Sequence, residues 1–245
     1  MLASLPMYDW PEFRDATDAF WQGLAEHAGV AGSLDRRSDY HSFWKQEKFD
    51  FSQTCGYPFT HEFKGLLSYV ATPHYDAVGC DGPYYSSIIF AAEPLGVGVQ
   101  KGWRPAINSV DSMSGCLAFK LAFPVEARRG DFFAPALITG GHLNSLLALR
   151  EGRADCCAID AVCVALVKKY RPQDLLGLVE IARSPQVPGL PFVTRGGDVN
   201  RWRQALLSAF ADPALAEARA ALLLNGISVL PENAYDHILD LEKTL

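Results

Sequence analysis

The sequence between residues 104 and 123, RPAINSVDSMSGCLAFKLAF, contains the change from strand to helix that decides the fold. Residues 104–108 predict a short strand, and residues 116–123 predict a helix. The interval between them, at 109–115, is rich in small polar residues. A strand therefore stops, hydroxyl side chains follow, and a helix begins at once.

The start of this helix is a candidate anion site. A helix N-terminus leaves about four N–H groups without an intrahelical acceptor and carries a partial positive charge. Those groups, together with the hydroxyls of Ser112 and Ser114, predict a cradle for an anion that needs neither lysine nor arginine. The alternative interpretation is ordinary N-capping by Asp111 or Ser112.

A second strand-to-helix junction has the same layout. Residues 136–139 predict a strand, Gly140, Gly141 and His142 follow it, and a helix is predicted over residues 144–150. His142 would lie at the mouth of a helix N-terminus, where the neutral imidazole is favoured and can donate one hydrogen bond. Ligands collect at the carboxyl ends of strands in α/β sheets, so His142 is a candidate ligand contact. The alternative is a structural histidine.

Two further sets of residues each have two interpretations. Asp160 ends the apolar strand predicted over residues 154–159, and it is either a helix cap or a ligand contact. Five tyrosines are the second set. They either line a ligand cleft that is partly apolar and partly solvated, or belong to the hydrophobic core. The tyrosines in question are Tyr8, Tyr57, Tyr75, Tyr84 and Tyr85.

The alternation of strand and helix patterns predicts the fold class, which is α/β with mainly parallel sheets flanked by helices. Extended segments near residues 72–76 and 184–191 predict two hinge crossovers between two lobes. The first lobe is expected to comprise residues 1–73 and 187–245, and the second residues 74–186. Further strands are predicted at 2–7, 49–53, 66–71, 84–91 and 178–182, helices at 13–27, 161–170, 198–210 and 213–225, and a turn at 55–58.

The composition excludes several classes of function. Of the 245 residues, 49% are hydrophobic and 20% are charged, as in a globular protein with a core of normal size. The net charge of −6 argues against nucleic acid and anionic membranes as partners, because both need a basic surface. No run of about 18 apolar residues predicts a membrane span. The N-terminus shows neither the basic nor the apolar region of a signal peptide.

The cysteines give no sign of a metal site. They form no CxxC pair and lack the spacing of metal ligands, so buried reduced thiols are the simplest interpretation. Such usage fits a reducing compartment slightly better than an oxidising one. No cofactor is expected. The six positions are Cys55, Cys80, Cys116, Cys156, Cys157 and Cys163.

Taken in order along the chain, six short segments resemble the phosphate/phosphonate-type substrate-binding proteins of ABC importers, which have the type II periplasmic binding protein fold. The resemblance covers most of the chain, and it rests on the series because no single piece is specific. The matching pieces are residues 3–9 (ASLPMYD), 53–58 (QTCGYP), 84–87 (YYSS), 112–115 (SMSG), 141–145 (GHLNS) and 152–160 (GRADCCAID).

The resemblance implies roles at the anion site. Ser112 and Ser114 would bind the anionic group within the Ser-x-Ser-Gly helix start that ends at Gly115, and His142 would add a donor. The family often has threonine where this chain has Met113, which would contribute only its backbone N–H.

The resemblance also implies contacts around the rest of the ligand. Tyr57 from the first lobe and Tyr85 from the second would clamp it, and Tyr8 would line the cleft. Asp160 would face an amino or hydroxyl group of the ligand. An oxyanion is the expected ligand. Because Asp111 places a carboxylate beside the anion site, a neutral ligand, or a zwitterion whose cationic end lies near Asp160 or Asp111, is the alternative.

The function that this resemblance implies is capture of a small polar ligand by hinge closure, for import through an ABC permease and without catalysis. The expected partners are the ligand and the permease, with no nucleic acid and no membrane insertion, and a monomer or weak dimer is expected. The resemblance implies the periplasm, whereas the absence of a visible signal peptide leaves the cytoplasm open. A cytosolic biosynthetic enzyme or a ligand sensor on the same fold is the alternative, since fold alone does not separate them.

Overall fold

The computed structural model describes residues 1–37, 39–92, 100–128, 132–231 and 233–245. The chain forms two compact units. Unit 1 consists of Met1–Asp76, Asp81–Pro83 and Pro188–Ala234, and unit 2 of Ala77–Cys80, Tyr84–Val187 and Tyr235–Leu245. The first lobe predicted from the sequence included residues 235–245, whereas these residues group with unit 2, where Arg128 donates a hydrogen bond to Thr244 Oγ1 at 3.3 Å.

The strands are numbered along the chain, and most are short. They are β1 Ala3–Ser4, β2 Phe49–Gln53, β3 Ser68–Tyr75, β4 Cys80–Asp81, β5 Tyr84–Tyr85, β6 Ser87–Ala92, β7 Pro105–Ile107, β8 Leu137–Ile138, β9 Cys156–Asp160, β10 Leu178–Arg183, β11 Val187–Pro188, β12 Phe192–Arg195 and β13 Leu224–Ser228.

The helices are numbered in the same way. They are α1 Arg14–His27, α2 Tyr40–Trp44, α3 Gly56–Thr60, α4 Ala118–Leu121, α5 Val125–Arg128, α6 His142–Arg150, α7 Ala161–Tyr170, α8 Val199–Ala211, α9 Ala216–Ala221 and α10 Asp236–Glu242. A π-helical turn, Met113–Leu117, runs directly into α4, and 3-10 turns cover Pro11–Phe13, Pro172–Leu175 and Pro213–Leu215.

Unit 1 is built on a five-stranded sheet in the order β1-β2-β12-β3-β13. Strand β1 is parallel to β2, whereas β12 is antiparallel to both β2 and β3, and β13 is antiparallel to β3. Helices α1 and α8 pack together and supply aromatic side chains to the core. Burial of these large rings is the main stabilising term of this unit. Fully buried examples are Phe20, Trp21, Phe43, Trp44, Phe49, Phe51 and Phe63.

Unit 2 is built on a five-stranded sheet in the order β10-β6-β9-β7-β8. Strands β9, β7 and β8 run parallel to one another, and β6 is antiparallel to β9. Every residue of β9 is buried, as expected for a central strand covered on both faces. Because β7, β8 and β9 are parallel, the residues that follow them meet at one edge of this sheet.

The structure confirms the α/β fold class but corrects details of the sheets. Both sheets are mixed rather than mainly parallel, because β12 inserts between β2 and β3 in unit 1 and β6 pairs antiparallel with β9 in unit 2. The predicted turn at 55–58 is the start of helix α3. The helix predicted over 213–225 is wrong beyond residue 221, since Leu224–Ser228 is strand β13.

Candidate functional site

The Ser-x-Ser-Gly segment lies in unit 2, directly after β7, where it starts the helical segment 113–121. Ser112 is the N-cap, and its Oγ accepts a hydrogen bond from the Gly115 N–H at 3.0 Å. The Cys116 and Leu117 N–H groups both donate to the Ser112 carbonyl. These bonds leave the amides of Met113 and Ser114 as the first-turn donors that a ligand could take. Of the two capping alternatives, Ser112 rather than Asp111 is the cap.

Ser112 keeps a proton to donate, because its bond to Gly115 uses only a lone pair of the hydroxyl. The Met113 side chain is completely buried in the core, so only its backbone faces the helix start. Gly115 permits a close approach to the end of β7. A Cβ at this position would lie 2.7 Å from Asn108 Cγ, which is closer than van der Waals contact allows.

His142 is the first residue of α6 and lies beside the Ser-x-Ser-Gly segment. Its Nε2 is 2.9 Å from Ser114 Oγ, and the imidazole tautomer decides which atom donates. Burial lowers the pKa of His142 to about 4, and the Ala158 backbone carbonyl opposes this only in part. The imidazole is therefore neutral near pH 7. Its Nδ1 is buried and makes no well-formed hydrogen bond within the described ranges, so the Ala158 carbonyl is at most a weak acceptor for the ring.

The two junctions are brought together by the parallel strands. The Ser112–Ser114 motif follows β7 and His142 follows β8, and these neighbouring strands end at the same edge of the sheet. Asp160 ends β9, the neighbour on the other side of β7. The helix start, the imidazole and this carboxylate thus lie at one sheet edge, where open α/β sheets bind ligands.

Asp160 is a helix cap in the structure. The residue is 1% exposed, and its Oδ1 accepts hydrogen bonds from the Val162 and Cys163 N–H groups at 2.7 and 3.3 Å. Of the two interpretations of Asp160, the structure shows the cap, and a ligand contact stays a prediction. Opposite Asp160 in the β6–β9 pair lies Ser87, whose buried Oγ has no partner among the described residues.

The three predicted tyrosines lie outside this set of contacts. Tyr85 is in β5 of unit 2 and is buried. Tyr57 lies in α3 of unit 1 with its ring stacked on His61, at a centroid distance of 3.8 Å. Tyr8 follows β1 of unit 1 and contacts Tyr75 edge to face at 5.3 Å. Their roles as ligand contacts stay predictions.

Sequence reasoning did not single out three polar residues at the sheet edges. Asn108 follows β7 and contacts Ser145 and the Gly115 backbone region. Ser87 starts β6, and Gln53 ends β2 of unit 1. The available signal was their position, since each is a polar residue at, or next to, one terminus of a buried strand. That signal is weak because most strands end in polar residues.

Other site chemistries find no support in the part of the chain that the structure describes. There, no group of three or more histidine, cysteine or acidic side chains is placed to hold a metal ion. No helix among these residues combines the length and apolar character needed to cross a bilayer. Four of the six cysteines are buried, and burial together with Asp160 raises the pKa of the partly exposed Cys80 to about 12.

Comparison with solved structures places the fold. A binding protein component of an ABC phosphonate transporter from Pseudomonas aeruginosa has a TM-score of 0.76 at 15% identity, covering 98% of this chain and 85% of that one. PhnD1 from Prochlorococcus marinus, solved with methylphosphonate, has a TM-score of 0.75 at 14% identity, covering 99% and 97%. A Xanthomonas citri protein, solved with chloride, has a TM-score of 0.73 at 15% identity, covering 100% and 96%.

The structural neighbours are two-lobed binding proteins, and at such low identity they show the fold alone. No curated protein matches the chain. Residues 2–229 match the family described as "ABC transporter, phosphonate, periplasmic substrate-binding protein". That match covers nearly the whole chain. The chain therefore belongs to the phosphonate substrate-binding protein family of ABC transporters.

Proposed function

We propose that this chain binds a small phosphonate-class oxyanion at the start of the helical segment 113–121 and delivers it to an ABC permease in the periplasm. Its ligand would be held by the hydroxyls of Ser112 and Ser114 and by the amides of Met113 and Ser114. The observation that carries the proposal is the 2.9 Å contact between Ser114 Oγ and His142 Nε2 at this helix start. This contact places neutral hydrogen-bond donors at the helix N-terminus, where the helix dipole favours an anion.

The electrostatics favour binding over catalysis. Ser114 and His142 have the spacing of a nucleophile and its general base. A general base at neutral pH needs a pKa near 7 and an orienting partner on its second nitrogen. Burial instead lowers the pKa of His142 to about 4. Its Nδ1 contacts no carboxylate in the described part of the chain. Such an imidazole orients a hydroxyl but is a poor proton acceptor.

The wider mechanism follows from family membership. The ligand would bridge two lobes, with hinges near residues 72–76 and 184–191, and would stabilise the closed state through its higher affinity for it. A monomer or weak dimer suffices for such a cycle. Methylphosphonate bound to PhnD1 of Prochlorococcus marinus, and chloride bound to the Xanthomonas citri protein, support an anionic ligand for this fold.

Titration calorimetry with methylphosphonate and inorganic phosphate tests the proposal. Ser114→Ala removes a hydrogen bond to a charged group, which contributes about 1.5–3 kcal/mol, so we expect affinity to fall about 10- to 100-fold. The matched control is Ser52→Ala, a buried serine of unit 1 whose Oγ accepts from Trp44 Nε1 at 3.1 Å. The proposal fails if neither anion binds, or if Ser114→Ala binds as tightly as the unaltered protein.

A further inference from the structure

Strand β6 begins at the same edge of the unit 2 sheet as the proposed anion site. Because β6 is antiparallel to β9, its first residue, Ser87, pairs with Asp160, the last residue of β9. Strand β7 lies on the other side of β9, runs parallel to it, and leads into the helical segment 113–121. Ser87 is therefore at this edge of the sheet, two strands away from β7.

Ser87 also lies on the face of the sheet that the helical segment 113–121 covers. Side chains alternate between the two faces of a strand, so Ser87 shares its face with Ile89 and Ala91. Those two residues form a core cluster with Phe119 of helix α4. The helical segment starts near the edge at which Ser87 lies, and Phe119 is further along it. Edge and face together place Ser87 on the side of the sheet where the helix begins.

The Ser87 hydroxyl is buried without a hydrogen bond. The residue is 1% exposed, and its Oγ has no partner within the described ranges. Its backbone is held firmly, because its N–H donates to Ser184 Oγ and its carbonyl accepts from the Ser184 N–H, both at 2.9 Å. A buried hydroxyl without a partner costs free energy, so a ligand that accepted its proton would remove that cost.

We propose that Ser87 is a further ligand-binding residue of this site, whose hydroxyl donates to an oxygen of the bound oxyanion. Neighbouring strands are about 4.8 Å apart, so β6 and β7 are separated by about 10 Å. Two O–H···O hydrogen bonds of about 2.7 Å occupy roughly half of that distance, and the remainder suits one oxyanion group. The inference rests on the proposed function. His142 follows β8, on the other side of β7, so the two residues would approach the anion from opposite sides.

The competing interpretation is that Ser87 serves the fold by donating to its cross-strand neighbour Asp160. Residues directly opposite each other in an antiparallel pair project to the same face, so the carboxylate is within reach. In the structure, Asp160 Oδ1 instead accepts from the first amides of α7, and the Ser87 hydroxyl makes no hydrogen bond to it. The two interpretations predict different effects on the stability of the ligand-free protein.

Ser87→Ala tests the assignment through two measurements on the full chain. Titration calorimetry with methylphosphonate should show binding about 10- to 100-fold weaker, as the loss of a hydrogen bond to a charged group implies. Urea unfolding without ligand should show a free energy of unfolding equal to or above that of the unaltered protein, because the removed hydroxyl has no partner. If Ser87→Ala does not fold, Ser87→Cys replaces it, since a thiol is a weaker donor and should also weaken binding.

The matched control is Ser86→Ala. Ser86 precedes Ser87 in the chain and is similarly buried, at 5% exposed, but its Oγ donates to the Gly79 carbonyl at 3.1 Å. This variant should keep the affinity for methylphosphonate and should lose some stability, because its substitution leaves that carbonyl without the hydroxyl donor.

The outcomes separate this inference from the proposed function. If Ser114→Ala weakens methylphosphonate binding while Ser87→Ala binds as tightly as the unaltered protein, Ser87 is not a ligand-binding residue and the proposed anion site stands. A loss of stability in ligand-free Ser87→Ala would also overturn the inference, because it would assign the hydroxyl to the fold. If neither methylphosphonate nor inorganic phosphate binds the unaltered protein, the proposed function itself fails.

Discussion

At the scale of the residue, the proposed anion site depends on neutral donors rather than on a positive side chain. Burial lowers the pKa of His142 to about 4, so the imidazole that contacts Ser114 is uncharged near pH 7. Attraction for an anion then comes from hydroxyls, amides and the helix dipole. A protein of net charge −6 can hold an anion in this way, because these donors are local and directional.

The buried imidazole makes stability depend on pH. In the unfolded chain His142 takes up a proton near its ordinary pKa of about 6.5, whereas the folded protein resists it until about pH 4. The unfolded state therefore binds more protons between these values. The contribution to stability is complete above pH 6.5 and is lost as the pH falls toward 4. We expect a loss on the order of 2 kcal/mol in the free energy of unfolding, less than the full pKa difference implies, because the His142 residue as a whole is only half-buried and solvent screens part of the effect.

Urea unfolding at several pH values between 7 and 4 measures this effect. His142→Gln removes the titrating group, so the free energy of unfolding should fall less over this range in the variant than in the unaltered protein. If the free energy of unfolding fell equally with pH in the two proteins, His142 would not be the group that makes stability depend on pH. The sequence singled out His142 from its place before a helix, but its partner Ser114 is 28 positions away. Only tertiary structure places two such residues in contact.

At the scale of the element, Asp160 illustrates how one residue can fit two patterns. The sequence left open whether it caps a helix or contacts a ligand. The structure shows that its Oδ1 accepts from the first N–H groups of α7, a buried helix that packs on β9. Capping satisfies donors that would otherwise be orphaned at a buried helix end, so the cap alone explains an acidic residue here.

Two substitutions separate the cap from a ligand contact. Asp160→Ala removes the cap and should lower the free energy of unfolding by about 1–2 kcal/mol, whereas Asp160→Asn retains a capping acceptor and should cost less. Thermal and urea unfolding measure both. Asp198→Ala is the matched control, because Asp198 caps α8 in unit 1 through the Asn200 and Arg201 N–H groups. A selective loss of 2-aminoethylphosphonate binding in Asp160→Asn would instead favour the ligand contact.

Two strands of the unit 1 sheet were missed, and for different reasons. Strand β12 follows a proline-rich stretch and is four residues long, so periodicity has little to act on. Strand β13 follows the alanine-rich helix α9 after two leucines, and the second of these, Leu223, adopts a positive φ of 59°. The helical composition runs on into the strand. Pairing with β3 stabilises the extended form of residues 224–228 despite that composition.

At the scale of the whole molecule, the proposed hinge closure predicts coupled changes in stability and size. A ligand that binds only the folded, closed state at about 100 times its Kd adds about 2.7 kcal/mol to the free energy of unfolding. We expect methylphosphonate at that excess to raise Tm by several degrees and to reduce the radius of gyration in small-angle X-ray scattering. Ser114→Ala at the same concentration should show smaller changes in both. Calorimetrically confirmed binding with unchanged scattering would contradict hinge closure.

The sequence by itself determined the α/β class, the family and the two strand-to-helix junctions of the proposed anion site. These follow from local features, namely apolar periodicity, small residues at helix starts and the order of short motifs. Tertiary structure alone decided that the sheets are mixed and that Ser114 meets His142. The reason is that these features depend on pairing between segments far apart in the chain, and local propensity carries no information about the partner across a sheet.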